Sequence, residues 1–401
     1  MKLWQWRKLL IRHEKYHLDR MDFDCIVVGA GLSGITAARQ MQRYGISVLL
    51  IESSDQVGGR VRSDQIDQYI CDRGFQVINP KYPQVAKSGV LKSLDFRKIS
   101  GQIRVDDLDI KVGYNVSSLS LKTGRLSEKL RFLGFIANSR ASNQKKFGDY
   151  TDKFPDFYKI VLAPFLTGVF LTDPREIAAD VAQEILRSFV KSLPGIPARG
   201  VGEFSKALAA PIENLKLNET VESIAPGVVS TNHARYSAKF IVIATDPVTA
   251  YRFIGSTVPI QMLSSTTTYF STTQKLIDSR NLVISNRSKL VNSIVISDVS
   301  EFYAPIDKTL VSATSLGKLT ESEFKSELAK LWQTNTKRWE SIASYQIKNS
   351  LPFHPPYKNR NSQPQINDWL FMVGDHMAIP SQQGAMHSGA QVALKINQLM
   401  H

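Results

Sequence analysis

An α/β fold is predicted by three features near the start of this 401-residue sequence. An apolar run, Asp24 to Val28, is typical of a buried strand and breaks into a cluster of glycines. A second strand-like run, Ile46 to Ile51, leads directly into the acidic residue Glu52. Between the two runs, Ile35, Ala38, Met41 and Gln42 follow at helical spacing before Gly45 ends the helix. Strand, turn, helix and strand in this order predict a βαβ unit with parallel strands.

The glycine cluster, GAGLSG at residues 29–34, has the spacing of a dinucleotide-binding turn. Gly29 permits the tight turn, Gly31 lets the backbone approach a pyrophosphate, and Gly34 lets the helix pack on the strand. Leu32 and Ser33 begin the helix, whose first N–H groups and positive dipole end point at the phosphates. Such spacing also arises in ordinary turns, so the prediction of a Rossmann-like domain depends on the βαβ pattern around it.

An acidic residue follows where a nucleotide ribose requires one. Glu52 ends the second strand, 21 residues after Gly31. A carboxylate at this point accepts hydrogen bonds from the ribose hydroxyls and repels the 2′-phosphate of NADP. Glu52 and the adjacent Ser53 are therefore candidate cofactor contacts, with a solvated strand end as the alternative interpretation.

A pair of glycines after Glu52 distinguishes between NAD and FAD, the two dinucleotides that this unit could bind. In GGRVRS, residues 58–63, Gly58 and Gly59 allow another close backbone approach. Arg60 supplies a fork-shaped cation suited to phosphate. A ligand longer than NAD, lying deeper in the protein, is therefore predicted.

These motifs together resemble the flavin-containing amine oxidase and phytoene desaturase superfamily, which includes the protoporphyrinogen oxidases. CDRGFQV, residues 71–77, resembles the segment near the flavin ring and implicates Gly74 and Phe75. APFLTGVFL, residues 163–171, is similar to the substrate domain of a bacterial and plastid branch whose substrate is unassigned. The resemblance implies FAD as the cofactor.

The C-terminal segment carries the second strong part of the resemblance. FMVGDHMAIPSQQGAMHSGAQVALKI, residues 371–396, comprises a short apolar strand, a Gly-Asp pair, a loop containing proline, and a helix. The match implies that Asp375, next to Gly374, accepts a ribityl hydroxyl. It also implies that the backbone around Gln383, Gly384 and Ala385 faces the flavin pyrimidine, where a helix N-terminus stabilises negative charge. The apolar face of that helix is predicted at Met386, Ala390, Ala393, Ile396 and Met400.

A middle strip, LNETVESIAPG, fits the family's third FAD-binding portion, with Val221 meeting the adenine through its backbone. The predicted architecture is therefore a Rossmann-like FAD-binding domain interleaved with an α+β substrate domain. Residues 1–20 form a basic N-terminal extension. The FAD-binding domain is assigned to residues 21–80, 208–255 and 356–401, and the substrate domain to 81–207 and 256–355.

The two cysteines and seven histidines limit the chemistry. Cys25 lies in the first predicted strand, and no cysteine follows Cys71, so the cysteinyl attachment of monoamine oxidases has no counterpart and noncovalent FAD is expected. No histidine lies in a metal-ligand spacing such as HExxH, so no metal site is predicted.

The leading hypothesis is FAD-dependent oxidation, in which hydride passes from a substrate C–H or C–N bond to flavin N5. The protein is then an oxidase, dehydrogenase or desaturase, and no motif assigns a catalytic side chain. The substrate is a small molecule: an apolar polyene or tetrapyrrole and an amine both remain open. Two alternatives also remain, a catalytically idle flavin-binding scaffold or redox partner, and a non-flavin NAD dehydrogenase, which needs neither GGR nor the C-terminal Gly-Asp segment.

The net charge of +14 is concentrated in two stretches. Residues 1–20 carry six positive and two negative residues, and Met1 and Met21 are both candidate starts. Residues 122–147 carry seven positive residues and one negative residue, Glu128. In this second stretch one helical face is predicted, at Leu126, Leu130, Leu133 and Ala137.

That basic amphipathic helix has two interpretations: contact with an anionic membrane surface, or a substrate-domain helix with a solvated basic face. Nucleic-acid binding is not expected, because no stacking aromatic motif accompanies the charge. The longest uncharged run noted, Ile160 to Thr172, is 13 residues and contains Pro164, too short for a spanning helix. A cytoplasmic protein, with peripheral membrane contact as one option, is expected; the oligomeric state is not assigned.

Overall fold

The computed structural model describes residues 22–105, 110–113, 116–256, 261–277, 279–357 and 363–401. The predicted N-terminal extension, residues 1–20, and the alternative start Met21 lie outside these residues. Within them, no helix combines the length and apolar character needed to cross a bilayer.

Most strands of the described chain belong to two large sheets, and β3 with β4 and β5 with β8 form two small two-stranded sheets. In chain order they are β1 Phe23–Val28, β2 Val48–Ile51, β3 Ser63–Ile66, β4 Tyr69–Asp72, β5 Phe96–Lys98, β6 Gln102–Val105, β7 Ile110–Gly113, β8 Gly195–Pro197, β9 Asn214–Lys216, β10 Val221–Ala225, β11 Val228–Thr231, β12 Arg235–Ile243, β13 Met262–Thr272, β14 Leu282–Ile284, β15 Leu290–Val295, β16 Thr309–Ser315, β17 Glu340–Pro352 and β18 Leu370–Met372.

The helices cover both sheets. In chain order they are α1 Leu32–Arg43, α2 Pro83–Ser88, α3 Leu126–Ala137, α4 Gly148–Thr151, α5 Pro155–Phe157, α6 Ala163–Phe170, α7 Ala179–Lys191, α8 Gly202–Ala209, α9 Pro247–Phe253, α10 Ile296–Val299, α11 Glu321–Trp332 and α12 Gln382–Met400. A π-helical turn, Tyr158–Leu162, joins α5 to α6.

The first sheet is the parallel sheet that the βαβ pattern predicts. Its parallel strands lie in the order β18, β12, β1, β2 and β9, and β10 and β11 extend β12 as an antiparallel meander. One register row crosses all five parallel strands through Phe371, Val242, Val27, Leu50 and Leu215. The row draws on residues far apart in sequence, so the sheet brings three chain segments to one edge.

Two helices cover one face of this sheet. Ile35, Ala38 and Met41 of α1 are fully buried, as their spacing predicts. Helix α12 packs across α1 so closely that a Cβ on Gly389 would lie 2.1 Å from the carbonyl oxygen of Ser33. Of the apolar face predicted for α12, Met386, Ala393 and Ile396 are buried. The opposite face of the sheet packs on α9 and the β10–β12 meander, so the central strands are apolar on both sides.

The second sheet forms the body of the predicted substrate domain. Its order is β17, β13, β16, β15, β14, β6 and β7, and all neighbours are antiparallel except β14 and β6. The sequence predicts three of its strands, in NLVISN, VNSIVIS and TLVSATSLG, and these correspond to β14, β15 and β16. Helix α8, by contrast, spans the boundary predicted at residue 208 and packs against the dinucleotide-binding unit through Phe204 and Leu208.

A helical layer from α3 to α7 covers the end of the second sheet. Its centre is a cluster of aromatic rings, Phe132, Phe135, Phe147, Phe154 and Phe157. Helix α3 therefore buries the face that carries its phenylalanines. The predicted apolar face is instead exposed, at Leu126, Leu130 and Leu133. Arg125 and Arg131 are exposed beside these leucines, so both interpretations of the helix, membrane contact and a substrate-domain helix with a solvated basic face, stay predictions.

A buried carboxylate holds the β3–β4 hairpin against the second sheet and its neighbours. Asp72, at the end of β4, is 2% exposed and accepts hydrogen bonds from the Ser63 hydroxyl at 2.5 Å, the Val201 N–H at 3.1 Å and the Tyr303 hydroxyl at 2.8 Å. Its carbonyl accepts a bond from the Tyr269 hydroxyl at 3.0 Å, which comes from β13. Burial raises the pKa of Asp72 to about 6 from the ordinary value of 3.8, although these hydrogen bonds oppose the shift.

This raised pKa predicts a pH-dependent stability. Folding favours the protonated form of Asp72, so its favourable contribution to the free energy of unfolding is complete below about pH 4 and is lost as the pH rises through about 6. The loss is on the order of 3 kcal/mol. Asp72→Asn removes the titrating group and keeps an acceptor for Ser63. We expect urea unfolding to show the variant gaining stability relative to the wild type from about pH 4 to about pH 7; parallel profiles would contradict this assignment.

Candidate dinucleotide-binding site

A cavity of about 640 Å³ runs along the carboxyl edge of the parallel sheet and ends against the second sheet. Its volume lies in the range typical of cofactor sites. Most of the residues that the sequence predicts for the cofactor line it: Gly29, Gly31, Leu32, Ser33, Glu52, Ser53, Gly58, Gly59, Arg60, Gly74, Phe75, Gly374, Asp375 and Ala385. The structure therefore brings together residues drawn from both ends of the chain.

The three glycines of GAGLSG are required by different neighbours. A Cβ on Gly29, whose φ is +103°, would lie 2.9 Å from the Ala244 carbonyl oxygen, and one on Gly34 would lie 1.9 Å from the Gly29 carbonyl oxygen. Gly29 is therefore required by its positive φ and by the adjacent end of β12, and Gly34 by the close packing of α1 on the turn before it. A Cβ on Gly31 would meet no protein atom within 4 Å, because it would project into open space. Gly31 leaves room for a molecule other than the protein itself.

Helix α1 begins at this cradle without a capping side chain. Gly31 is the N-cap residue, no acidic residue lies in the first turn, and the first intrahelical bond runs from the Ile35 N–H to the Gly31 carbonyl at 2.9 Å. The N–H groups of Leu32, Ser33 and Gly34 precede that bond. Together with the positive end of the helix dipole, they suit an anionic group such as a pyrophosphate.

Glu52 is held in place at the end of β2. Its carboxylate accepts hydrogen bonds from the Ala30 N–H at 2.8 Å, the Ser54 N–H at 3.0 Å and the Ser54 hydroxyl at 2.6 Å. The Ser53 hydroxyl lies 3.4 Å from the same carboxylate. These bonds orient a negatively charged acceptor at the cavity wall, next to the glycine turn.

The second glycine pair lies against the first. The Gly58 N–H donates to the Ala30 carbonyl at 2.7 Å, and a Cβ on Gly59 would lie 3.3 Å from the Gly31 Cα. Gly59 has a φ of +57°, in the left-handed region that glycine tolerates. Two glycine turns, 27 residues apart between Gly31 and Gly58, therefore form one wall of the cavity.

Arg60 and Asp375 form an ion pair that the sequence does not predict. Arg60 Nη2 donates to Asp375 Oδ1 at 2.7 Å, and Arg60 Nη1 donates to the Ser350 carbonyl at 2.8 Å. Burial alone would raise the pKa of Asp375, but the adjacent guanidinium outweighs it and holds that pKa below its usual range. Asp375 is therefore an anion in the cavity wall, and Arg60 is fixed across 315 residues of sequence while keeping further N–H donors for a ligand.

The inner end of the cavity meets the second sheet and the helical layer. Gly74, with a φ of +90°, turns the chain there, and the Phe75 N–H donates to the Thr267 hydroxyl at 3.3 Å. The residues that line this end from the second domain are Gly168, Val169, Leu171, Ser265, Asn292, Thr314, Ile347, Asn349 and Leu351. One wall is therefore apolar and comes from α6, and the other carries hydroxyl and amide groups from the sheet.

Four of the predicted contacts lie outside the cavity lining: Gly34, Val221, Gln383 and Gly384. Val221 pairs with Thr231 at the start of β10. The Gln383 side chain accepts a hydrogen bond from the Gln84 N–H at 2.9 Å, and a Cβ on Gly384 would lie 1.9 Å from the Ile379 carbonyl oxygen.

Neighbouring residues line the cavity in place of Gln383 and Gly384. Ser381, which caps α12 by accepting from the Gly384 N–H at 3.1 Å, and Gln382 both face it. Ser381, Gln382 and Ala385 line the cavity whereas Gln383 and Gly384 between them do not, so the helical phase decides which side of the first turn of α12 faces it.

Sequence reasoning missed a further cluster at the end of β12. Thr245, Asp246 and Thr249 line the cavity, and Asp246 also caps α9 by accepting from the N–H groups of Val248 and Thr249. The available signal was the position itself, because ligands of open α/β sheets bind at the carboxyl ends of the strands.

In the part of the chain that the structure describes, the cavity lining contains no cysteine or histidine. Cys25 and Cys71 are buried and form no disulfide, and burial raises the pKa of Cys71 to about 12, so it is a neutral thiol. His376, next to Asp375, is 3% exposed and packs its ring near Met372 and Tyr251. Among the described residues, no group of histidine, cysteine and acidic side chains could hold a metal ion.

Comparison with known proteins supports a dinucleotide-binding fold for the N-terminal βαβ unit. Residues 27–91 match the profile of the NAD(P)-binding Rossmann-like domain. An L-amino acid dehydrogenase of Synechocystis is 48% identical over 59 residues, 14% of this chain and 12% of that protein. The flavin-containing amine oxidase A of Sus scrofa is 34% identical over 92 residues, 22% of this chain and 17% of that protein. Each match thus covers less than a fifth of the relative's own length.

Solved structures resemble the chain over nearly its whole length. An oxidoreductase from Methanosarcina mazei superposes with a TM-score of 0.74 at 13% identity, covering 92% of this chain and 99% of that one. Cyclohexylamine oxidase from Brevibacterium oxydans superposes with a TM-score of 0.69 at 15% identity, covering 94% and 99%. The fold is that of the FAD-dependent oxidoreductases. The matches together confirm the predicted resemblance to the flavin-containing amine oxidase superfamily.

The different surroundings of Gly31 and Gly34 predict different costs of a methyl group. Gly34→Ala forces a Cβ against the Gly29 carbonyl, so we expect the free energy of unfolding to fall by about 3 kcal/mol. Gly31→Ala places its methyl in open space at an extended N-cap and is expected to cost about 1 kcal/mol or less. Denaturant unfolding of the cofactor-free proteins measures both. Equal costs would show that Gly31 is as tightly packed as Gly34.

Proposed function

We propose that this protein is an FAD-dependent oxidoreductase of the amine oxidase or desaturase type, in which hydride passes from a substrate C–H or C–N bond to flavin N5. The observation that carries the proposal is the open cradle at Gly31, which continues past Arg60 and Asp375 to a mixed polar and apolar chamber. An NAD dehydrogenase has no need for the second glycine pair or for the C-terminal Gly-Asp segment, and both line this cavity.

The residues of the outer half suit the ADP portion of FAD. Glu52, oriented by Ala30 and Ser54, would accept the ribose hydroxyls. The uncapped start of α1 and the remaining N–H donors of Arg60 would receive the pyrophosphate. Asp375 would accept a ribityl hydroxyl through the carboxylate oxygen that Arg60 leaves available.

The inner half suits the isoalloxazine ring. Gly74 and Phe75 lie on one side, and Ser381, Gln382 and Ala385 at the start of α12 lie on another. The N-terminus of α12 favours negative charge and would stabilise the reduced pyrimidine. Both cysteines of the chain are buried away from the lining, which supports noncovalent binding.

When bound, FAD supplies the hydride acceptor. The chain's own residues orient the substrate and exclude water from the chamber. Asn292 is 5% exposed, and its side-chain oxygen lacks a hydrogen-bond partner in the described part of the chain. The other hydroxyl and amide groups on this wall, from Ser265, Thr314 and Asn349, suit a substrate that carries polar groups.

The mixed chamber therefore favours, within the proposal, a small substrate with polar groups over an unsubstituted polyene. An amine and a tetrapyrrole both meet that requirement. The described lining includes no lysine, and Phe75 is its one aromatic residue.

We also propose that the parallel-sheet segments, residues 21–80, 208–255 and 356–401, form the FAD-binding domain, with 81–207 and 256–355 as the substrate domain. The packing of α8 on α1 favours moving the boundary at 208 to the start of α8. A cytoplasmic location with peripheral contact to a membrane is part of the same proposal.

The first test is the visible spectrum of the purified protein. We expect two flavin bands, release of free FAD on heat denaturation, and bleaching under anaerobic conditions by a substrate among amines and porphyrinogens. Flavin that no substrate bleaches would favour the idle scaffold. A colourless protein that binds NAD and takes up no FAD would overturn the assignment of the cofactor.

A single substitution tests where the cofactor lies. Gly31→Val fills the cradle, and we expect it to abolish FAD retention while leaving a folded protein, because the new side chain meets open space. Gly317→Val is the matched control, since Gly317 also has no neighbour within 4 Å of a Cβ but lies outside the cavity lining. Flavin-to-protein absorbance ratios measure the outcome. Wild-type flavin content in Gly31→Val would refute the placement.

A further inference from the structure

Five leucines project from one edge of the helical layer into solvent. Leu126, Leu130 and Leu133 of α3 are 49%, 60% and 51% exposed. Leu119 and Leu121, in the loop before the helix, are 58% and 75% exposed. We call these five residues the leucine ridge. Single exposed leucines are ordinary, but a contiguous apolar row on one helix face indicates an interaction surface.

The leucine ridge is held as a unit. Lys129, which lies between Leu126 and Leu133 on the helix, donates from Nζ to the Ser120 carbonyl at 2.6 Å. This bond fixes the loop that carries Leu119 and Leu121 beside the helix. Burial lowers the pKa of Lys129, since most of its side chain lies against protein.

The charges that surround the ridge are positive. Lys122, Arg125, Arg131 and Arg140 are exposed, and Lys122 and Arg125 form no ion pair within the described residues. Glu128, the one acid between residues 119 and 140, points inward and accepts from the N–H groups of Asp156 and Phe157 at 2.9 and 3.0 Å.

Acids do occur on the segment that adjoins the ridge. Asp152 and Asp156 are exposed there, but Lys153 and Lys159 match them in number. The outward face of α3 itself therefore combines leucines and cations without an exposed carboxylate.

We propose that the leucine ridge docks this protein on the surface of an anionic lipid bilayer. Leucines enter the boundary between headgroups and acyl chains, while the flanking cations contact lipid phosphates and carboxylates. This proposal names the surface that makes the peripheral membrane contact proposed above. It does not depend on the identity of the cofactor or substrate.

Charge disfavours the two other occupants that the chain itself offers. A second copy packed ridge to ridge would bring Lys122 and Arg125 against the same cations of its partner. The N-terminal extension, residues 1–20, has six positive and two negative residues and would be repelled in the same way. An anionic bilayer complements both features, because its acyl region can accept the leucines and its headgroups carry charge opposite to that of the cations.

The position of α3 connects this surface with the cavity. Gly124 packs against Phe157, where a Cβ would lie 2.8 Å from the backbone nitrogen, and the chain continues from Phe157 through the π-helical turn into α6. Gly168 and Val169 of α6 line the cavity. Docking would therefore place against the membrane the same helical layer that forms the apolar wall of the chamber.

Vesicle flotation of the full chain tests the proposal. We expect the wild type to float with phosphatidylcholine vesicles that contain phosphatidylglycerol, and not with phosphatidylcholine alone. Leu126→Gln/Leu130→Gln/Leu133→Gln should bind about 100-fold more weakly, and Lys122→Gln/Arg125→Gln about 20-fold more weakly, with binding falling as salt rises. The control Ile277→Gln/Ile306→Gln/Leu394→Gln removes three other exposed apolar side chains and should bind like the wild type.

Several outcomes would overturn the proposal. A triple leucine variant that floats like the wild type would assign binding to another part of the chain, and a wild type that ignores anionic vesicles would exclude docking. A dimer in light scattering that the triple variant dissociates would assign the leucine ridge to a second copy. Flavin content measured on the same samples keeps this result separate from the proposed function.

A fluorescent label reports the contact directly. Both native thiols are buried, so Leu130→Cys provides the one exposed thiol for an environment-sensitive dye. We expect its emission to shift to shorter wavelength with anionic vesicles, whereas the same dye at Ile306→Cys should not respond. An unshifted spectrum at Leu130→Cys would contradict insertion of the ridge.

Discussion

The parallel register of β18, β12, β1 and β2 is the constraint on which the candidate site depends. Because all four strands run in the same direction, their carboxyl ends meet at one edge, and the chain must leave each strand there through a turn. GAGLSG follows β1, Glu52 follows β2, Thr245 and Asp246 follow β12, and Gly374 and Asp375 follow β18. Four turns, each following a different strand, therefore line one cavity, and no single turn forms it alone.

The Arg60–Asp375 ion pair neutralises a buried charge at that edge of the sheet. A buried carboxylate is costly without compensation, and the guanidinium removes the cost by pairing with it at 2.7 Å while also binding the Ser350 carbonyl. Ser350 belongs to β17 of the second sheet, so a single side chain contacts the C-terminal Gly-Asp segment and the substrate domain together. Arg60 thus joins the two sheets by polar contacts at the cavity wall. Away from the cavity lining, Asp72 ties the β3–β4 hairpin to the second sheet through Tyr269 and to Tyr303.

The helical layer forms the apolar wall of the cavity through α6 and carries the leucine ridge on α3, and its aromatic packing makes these two features compatible. Phenylalanines on the inner side of α3 anchor it to α5 and α4, which leaves the other side free of core packing. Leucines on that free side would be a liability for a protein with no partner there. Their combination with cations is the pattern expected at a lipid interface, and the layer also reaches the cavity through α6.

The sequence by itself determined the βαβ unit and the positions of Gly29, Gly34 and Glu52 around its turn, because these depend on spacing within one strand–helix–strand unit. It indicated Arg60 through the second glycine pair, and it indicated Asp375 only through the resemblance of the C-terminal segment to the flavin-containing amine oxidase superfamily. Tertiary structure alone decided that Arg60 meets Asp375 and that Asn292 and Thr314 form the chamber wall, since strands of alternating polar residues carry no mark of what they will face. It also decided which side of α3 is buried. Apolar residues occupy both sides of that helix, so periodicity could not choose between its leucines and its phenylalanines; the larger aromatic area available for burial did.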